Sequence, residues 1–205
     1  MSYIDVTVPM RNGMLNYPSV PRVEITKVFD MKQGDNGNLV RISFGTHTGT
    51  HYDPPFHMLI DGKRGDELPA DYFIGKAKVF AFMSGEDIDL KDVENLDIQK
   101  GDMVLFKTPN GPHLLEDEFI EEYVTITPDA AANLVKKGIR AVGLDYLSVD
   151  KFGYNDTHLV FLKAGIPIVE GLYLVNVDPG LYKMTALFMH YKDSDGGPIR
   201  VLLEK

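Results

Sequence analysis

The stretch from Gly45 to His57 constrains this chain most, because it places three of the six histidines and one aspartate within eleven positions. It reads GTHTGTHYDPPFH. Imidazole nitrogens and carboxylate oxygens are the ligands from which proteins build catalytic sites for divalent transition metals. The stretch therefore predicts a metal site or an acid–base site. The candidate residues are His47, His51, Asp53 and His57.

The spacing within this stretch excludes the commonest helical zinc motif. His47 and His51 are four residues apart and would share one face of a helix, but the glycines and prolines around them break helices. We predict instead a strand end that turns into a loop, where side chains several residues apart converge. The alternative is an ordinary polar loop, since a single histidine is usually a surface or hydrogen-bonded residue.

Composition narrows the class of protein. With 205 residues and 44% apolar composition, residues 1–205 are predicted to form a single domain. The net charge of −9 argues against binding to nucleic acid or to an anionic membrane. Cysteine is absent, so any metal must use nitrogen and oxygen ligands. The sequence begins without signal-peptide features and has no apolar run that could span a bilayer, which predicts a cytoplasmic protein.

Periodicity and turn residues predict a mixture of strands and helices. The predicted strands are residues 4–8, 23–28, 39–44, 76–83, 103–107, 141–147, 166–169, 183–191 and 199–203. One helix begins with Thr127 as N-cap and Pro128 at its first position and stops at Gly138. A second spans 156–163 with Asn155 as its cap. Strand 39–44 leads into the histidine-rich stretch. Ser148 beside Asp150 is interpreted as a turn.

The run H-x-G-T-H-x-D-x-P-x-H at 47–57 resembles the signature of the metal-dependent cyclase family, which includes bacterial kynurenine formamidases and isatin hydrolases. The resemblance extends to Tyr17-Pro18 in an early loop, to His158 and Glu170, and to a closing hairpin at 195–198. It implies an α/β fold of the swivelling β/β/α type, with a mixed sheet core and few helices. It also implies a homodimer or a higher homo-oligomer.

The resemblance further implies a site for up to two divalent ions per subunit, with zinc or manganese as the metal. His47, His51 and Asp53 would hold one ion. His158 would hold the second, and Asp53 and Glu170 would bridge the two.

The implied activity is hydrolysis of a small-molecule amide, with N-formylkynurenine of tryptophan catabolism as the leading substrate. A metal-activated water would attack, and His57 would act as general acid and base without binding metal. Kynurenine formamidases place a tryptophan in the early loop, whereas this chain has no tryptophan and offers Tyr17 for substrate binding. Two alternatives remain: hydrolysis of a cyclic amide or lactone, and a non-catalytic metal-binding protein. The nucleophile elbow, P-loop and dinucleotide motifs are absent from the sequence.

Overall fold

The computed structural model describes residues 2–205 and contains ten strands and three α-helices in that range. The strands are β1 (Tyr3–Asp5), β2 (Glu24–Phe29), β3 (Leu39–Ser43), β4 (His51–Asp53), β5 (Ile74–Ala81), β6 (Met103–Lys107), β7 (Ala141–Leu144), β8 (Ile168–Glu170), β9 (Gly180–Phe188) and β10 (Gly197–Glu204). The helices are α1 (Leu90–Val93), α2 (Pro128–Lys137) and α3 (Asp156–Lys163). Within residues 2–205, no helix is long and apolar enough to cross a membrane.

Eight strands form one mixed sheet that closes on itself. The strand order is β1-β10-β4-β8-β7-β6-β5-β9, and β9 also pairs with β10. Strands β5 to β8 run parallel to one another, and the remaining pairs are antiparallel. Strands β2 and β3 form a separate two-stranded sheet. The mixed, barrel-like sheet and the small helical content confirm the predicted α/β class.

The barrel wall separates two hydrophobic cores. Successive side chains of a strand point to opposite faces. In β6, Met103 and Leu105 accordingly point into the barrel, while Val104 and Phe106 point outward. The helices cover the outer face, and Leu134 of α2 belongs to the same outer core as Phe106. Because both faces of β6 and β7 are buried, residues 103–106 and 141–144 are continuously apolar.

The two predicted helices are confirmed, but the cap of the second is wrong. The Thr127 hydroxyl accepts a hydrogen bond from the Ala130 N–H at 3.3 Å, and the chain leaves α2 at Gly138 with a φ of +75°. Asn155 makes no side-chain hydrogen bond at the start of α3. The first N–H groups of that helix donate to Asp150 instead.

The predicted relation between strand and site needs a correction. Strand β3 precedes the histidine-rich stretch but lies outside the barrel, and His51–Asp53 itself forms a short barrel strand between β10 and β8. Gly49, with a φ of +62°, turns the chain before this strand, and Pro54 and Pro55 follow it. The site is therefore on a strand within the barrel rather than at the end of β3.

The strand predicted over residues 141–147 ends at Leu144, three residues early. Asp145 leaves the ladder because its carboxylate accepts hydrogen bonds from the Thr108 N–H and hydroxyl, at 2.7 and 2.6 Å. The chain therefore bends after Leu144 and leaves the sheet before α3 begins.

Candidate active site

Strand alternation in β4 sets the site on the outer face of the barrel. Tyr52 points into the inner core, so His51 and Asp53 point outward. Glu170 lies directly opposite His51 in the antiparallel ladder between β4 and β8, and residues opposed in this way share a face. Two neighbouring strands thus bring one histidine and two carboxylates together.

Helix α3 covers this face and adds His158. The Nε2 atom of His158 lies 3.4 Å from Oδ2 of Asp53 and 3.3 Å from Oε1 of Glu170. The Nε2 atom of His51 lies 3.5 Å from Oδ1 of Asp53 and 3.4 Å from Oε2 of Glu170. Each carboxylate therefore turns one oxygen toward His51 and the other toward His158.

These distances and donor types fit a divalent metal ion. Ligand bonds of about 2.0–2.1 Å in a tetrahedral zinc site separate neighbouring donors by roughly 3.3 Å. The four distances given above are close to that value. The Oδ2 atom of Asp53 is buried and has no hydrogen-bond partner among the described residues, which is costly for a carboxylate oxygen. A cation between the carboxylates and imidazoles would satisfy it.

His47 approaches the same carboxylate from the loop before β4. Its Nδ1 atom lies 2.6 Å from Oδ1 of Asp53, and its Nε2 atom lies 3.4 Å from Oδ2 of Asp195. The hydroxyls of Thr46 and Tyr191 donate to Asp195 at 3.0 and 3.1 Å. Asp195 is thus held in place behind His47, and Nδ1 of His47 is the nitrogen that faces the site.

The other two candidate ligands are also held through the ring nitrogen that faces away from the site. The Nδ1 atom of His51 lies 2.9 Å from the Gly49 carbonyl oxygen, and the Nδ1 atom of His158 lies 2.6 Å from the Asp150 carboxylate. Such outer contacts orient a metal-binding histidine and fix which nitrogen is free to bind. Both rings present Nε2 to the site.

His57 differs from the three other histidines. It ends a short 3-10 helix, Pro55–His57, and its half-buried ring lies against that of His47, with 3.8 Å between the ring centres. A nitrogen of His57 also lies close enough to His47 and Asp53 for the three to share an ion. The geometry alone thus allows both a ligand and a proton-transfer role for His57.

All seven predicted site residues line one cavity of about 210 Å³. They are Tyr17, His47, His51, Asp53, His57, His158 and Glu170. The chain segments that carry them come from distant parts of the sequence, and their common position is produced by the barrel and α3.

Buried charge dominates the electrostatics. Burial opposes the ionisation of Asp53, but the neighbouring imidazoles, His47 first, hold its pKa well below its usual range. Burial likewise opposes the ionisation of Glu170, but the neighbouring imidazoles, His158 first, lower its pKa. Burial disfavours charged imidazole, yet nearby carboxylates raise the pKa of His47 to about 10 and that of His158 well above its usual range. The two buried carboxylates thus require positive charge beside them.

The pKa of His57 moves in the opposite direction. Burial is the largest influence and lowers this pKa, so the ring is neutral at pH 7. A neutral imidazole can accept a proton during catalysis.

Comparison with known proteins identifies the family. Residues 4–151 match the Cyclase family model, whose description is putative cyclase. The chain belongs to the cyclase family. A kynurenine formamidase of Salinibacter ruber is 33% identical over 207 residues, which cover 99% of this chain and 97% of the relative.

Solved structures of similar proteins agree with the family assignment. A predicted metal-dependent hydrolase from Bacillus stearothermophilus is 36% identical, with a TM-score of 0.84 over 98% of this chain and 97% of the other. Isatin hydrolase A from Labrenzia aggregata, bound to benzyl benzoate, is 21% identical. Its TM-score of 0.85, over 98% of this chain and 93% of the other, shows a shared fold.

Asp150 and Asp195 are absent from the predicted site residues of this cyclase-family chain. Asp195 lies in the D-G-G-P segment that carries part of the resemblance, so a signal for it existed. Asp150 had no comparable signal, because its contact with His158 depends on how residues 145–155 fold. The turn predicted at Ser148 and Asp150 describes the local backbone and omits what the carboxylate does.

Gly171 lies where the chain after β8 passes very close to the chain before β4. Its φ is +68°, and a Cβ atom there would lie 2.2 Å from the Gly49 carbonyl oxygen, which holds His51. We expect Gly171→Ala to destabilise the protein by about 3–4 kcal/mol, since the left-handed backbone and the overpacking both cost energy. Gly165→Ala is the control: its φ is +74°, but a Cβ atom there would meet no neighbouring atom of residues 2–205 within 4 Å. Urea unfolding should show that Gly165→Ala lowers the free energy of unfolding by only about 1–2 kcal/mol. Equal losses would contradict the close approach.

Proposed function

We propose that this cyclase-family protein is a metal-dependent amide hydrolase of the arylformamidase type, which converts N-formylkynurenine to kynurenine and formate. The observation that carries the proposal is the pair of buried carboxylates, Asp53 and Glu170, each shared between His51 and His158. The similarity to kynurenine formamidases and to a metal-dependent hydrolase supports the same activity.

We assign the ligands to two groups. His47, His51 and Asp53 would hold one divalent ion, and His158 would hold a second, with Asp53 and Glu170 bridging. Zinc is the leading candidate, and manganese suits the same nitrogen and oxygen donors. A bound divalent ion supplies an acidified water and positive charge near a developing oxyanion.

His57 is proposed to move the proton. Amide hydrolysis adds water to the formyl carbon and breaks the C–N bond, and the leaving nitrogen needs a proton. The neutral His57 ring can take a proton from the attacking water and return it to that nitrogen. Its position at the cavity wall places it beside the other site residues.

Tyr17 is proposed to contact the aryl part of the substrate. Its ring packs edge-on against Phe119, with 5.3 Å between ring centres, and lies 5.7 Å from that of Phe152. Its hydroxyl accepts a hydrogen bond from the Gly153 N–H at 3.4 Å. These contacts fix the ring at the cavity wall, where an aromatic substrate can pack on it.

The exposed hairpin of β2 and β3 supports the proposal of a homodimer. Six large apolar residues of the hairpin and its turn are 48–58% exposed. A two-stranded sheet alone is only marginally stable in water. The six residues are Val28, Phe29, Met31, Leu39, Val40 and Ile42. A second copy of the chain would cover this surface.

The first test is the initial rate of kynurenine release from N-formylkynurenine. We expect the zinc- or manganese-loaded protein to turn over at an ordinary enzymatic rate, about 1–1,000 per second, and a chelated sample to be inactive. A folded, metal-loaded protein without turnover would contradict this substrate and direct the search to cyclic amides and lactones. Full activity after chelation would contradict metal dependence.

Substitution of His57 separates proton transfer from metal binding. We expect His57→Ala to keep the metal content of the wild type and to lose about 10²–10⁴-fold in kcat. His113, which is half-buried and lies outside the cavity, is the control, and His113→Ala should change neither quantity. Loss of metal in His57→Ala would instead make His57 a ligand.

Light scattering tests the homodimer. We expect wild type at twice the chain mass of 22.9 kDa, and the double variant Val40→Lys with Ile42→Lys to be monomeric. Leu187 on β9 is an apolar residue that is 59% exposed, and the control variant Leu187→Lys should remain dimeric. A monomeric wild type would refute the homodimer.

A further inference from the structure

Asp150 is a buried carboxylate directly behind the cavity, only 3% exposed. Its Oδ1 atom accepts a hydrogen bond from the Thr157 N–H at 2.7 Å. Its Oδ2 atom accepts one from the His158 N–H at 2.9 Å and lies 2.6 Å from Nδ1 of the His158 ring. One carboxylate thus holds both the backbone and the ring of the same residue.

This contact determines which nitrogen of His158 can bind a metal. An ionised carboxylate only accepts hydrogen bonds, so Nδ1 must carry the hydrogen. The Nε2 atom is then the only ring nitrogen left for a metal, and it points at Asp53 and Glu170. A carboxylate behind a metal-binding histidine fixes the ring orientation and makes the ring a better ligand.

The residues beside Asp150 act on the other side of the site. The Val149 N–H donates to Oε1 of Glu170 at 2.8 Å, and the Ser148 hydroxyl accepts from the Asp150 N–H at 3.1 Å. The segment from Ser148 to Asp150 therefore contacts both His158 and Glu170. A turn that only reverses the chain direction would not require a backbone N–H in contact with Glu170 and a carboxylate in contact with His158.

We propose that Asp150 is a positioning residue for the metal site, which holds His158 with Nδ1 protonated and Nε2 directed at Asp53 and Glu170. It thereby sets the affinity of the site for a divalent ion. The inference rests on the proposed function only in requiring that the site binds such an ion. Asp150 touches neither substrate nor reacting atoms, so its effect is exerted through His158.

A purely structural role for Asp150 is the competing explanation. Asn155 does not cap α3, and Asp150 accepts hydrogen bonds from the first N–H groups of that helix in its place. Loss of a cap lowers stability. It leaves the metal affinity of the folded protein unchanged, which separates the two roles.

The experiment compares zinc affinity and stability in three full-length proteins stripped of metal: wild type, Asp150→Asn and Asp156→Asn. Asn keeps the shape of the side chain and one acceptor oxygen for the helix. Asp156 is exposed in the first turn of α3, so its substitution removes the same charge from the same helix end. Zinc affinity is measured by competition with a chelating indicator, and stability by thermal unfolding without metal.

We expect Asp150→Asn to bind zinc about 10–100-fold more weakly than wild type, the range typical for such outer contacts. Asp156→Asn should bind as wild type does. Equal zinc affinity in wild type and Asp150→Asn would overturn the proposal and leave Asp150 as a helix cap. A wild type that binds no zinc would contradict the proposed metal site and would overturn this inference with it.

A measurement on wild type alone covers the case in which Asp150→Asn does not fold. Nitrogen-15 spectra of the zinc-loaded protein should show the His158 ring with a proton on Nδ1 that exchanges slowly with water. A His158 ring that is bound to zinc through Nδ1, or that carries no proton there, would overturn the proposal.

Discussion

Asp53 and Glu170 sit side by side on adjacent strands, 1% and 2% exposed, and their charges must be compensated inside the protein. An isolated buried carboxylate is expensive, and two of them repel each other. Much of the surrounding structure answers this requirement. Three imidazoles face the pair, and the Val149 N–H reaches Glu170 from the segment before α3. A divalent cation between the carboxylates meets the same requirement with less dependence on proton binding.

The barrel stabilises this pair because the inner and outer faces of its strands carry different kinds of side chain. The inner face of β4 contributes Tyr52 to an apolar core, while the outer face of the same three residues carries His51 and Asp53. Hydrophobic burial on one side thus stabilises a strand whose other side is polar and charged. Strand β8 repeats the division, with Val169 directed inward and Glu170 outward. A one-residue slip in register would exchange the faces and place charge in the inner core.

The residues of the candidate site were easier to predict from the sequence than the strands and contacts that hold them in place. The density of histidine and aspartate between residues 47 and 57 pointed to metal or acid–base chemistry because such side chains seldom cluster without a ligand. The resemblance to the cyclase family added His158 and Glu170, and both line the cavity. Capping and turn residues located α2 and the closing hairpin, since their determinants are local.

What remained hidden depends on contacts between distant residues. The sequence did not predict that His51–Asp53 forms a barrel strand. The segment has only three residues and lies between a glycine-rich run and two prolines, so it carries no local strand pattern. Pairing with Glu170, 119 residues further along the chain, makes it a strand. The role of Asp150 was hidden for the same reason, because the local sequence offered Asn155 as the cap of α3.

The distance along the chain between the two halves of the site has a consequence for biosynthesis. His57 precedes His158 by 101 positions, which at about 5–20 residues per second corresponds to roughly 5–20 s of translation. During that interval the nascent chain presents His47, His51 and Asp53 without the carboxylate and imidazole that complete the cavity. Under the proposed ligand assignment, an ion taken up then would lack His158 and Glu170. The complete ligand set can form only after Glu170 has been translated.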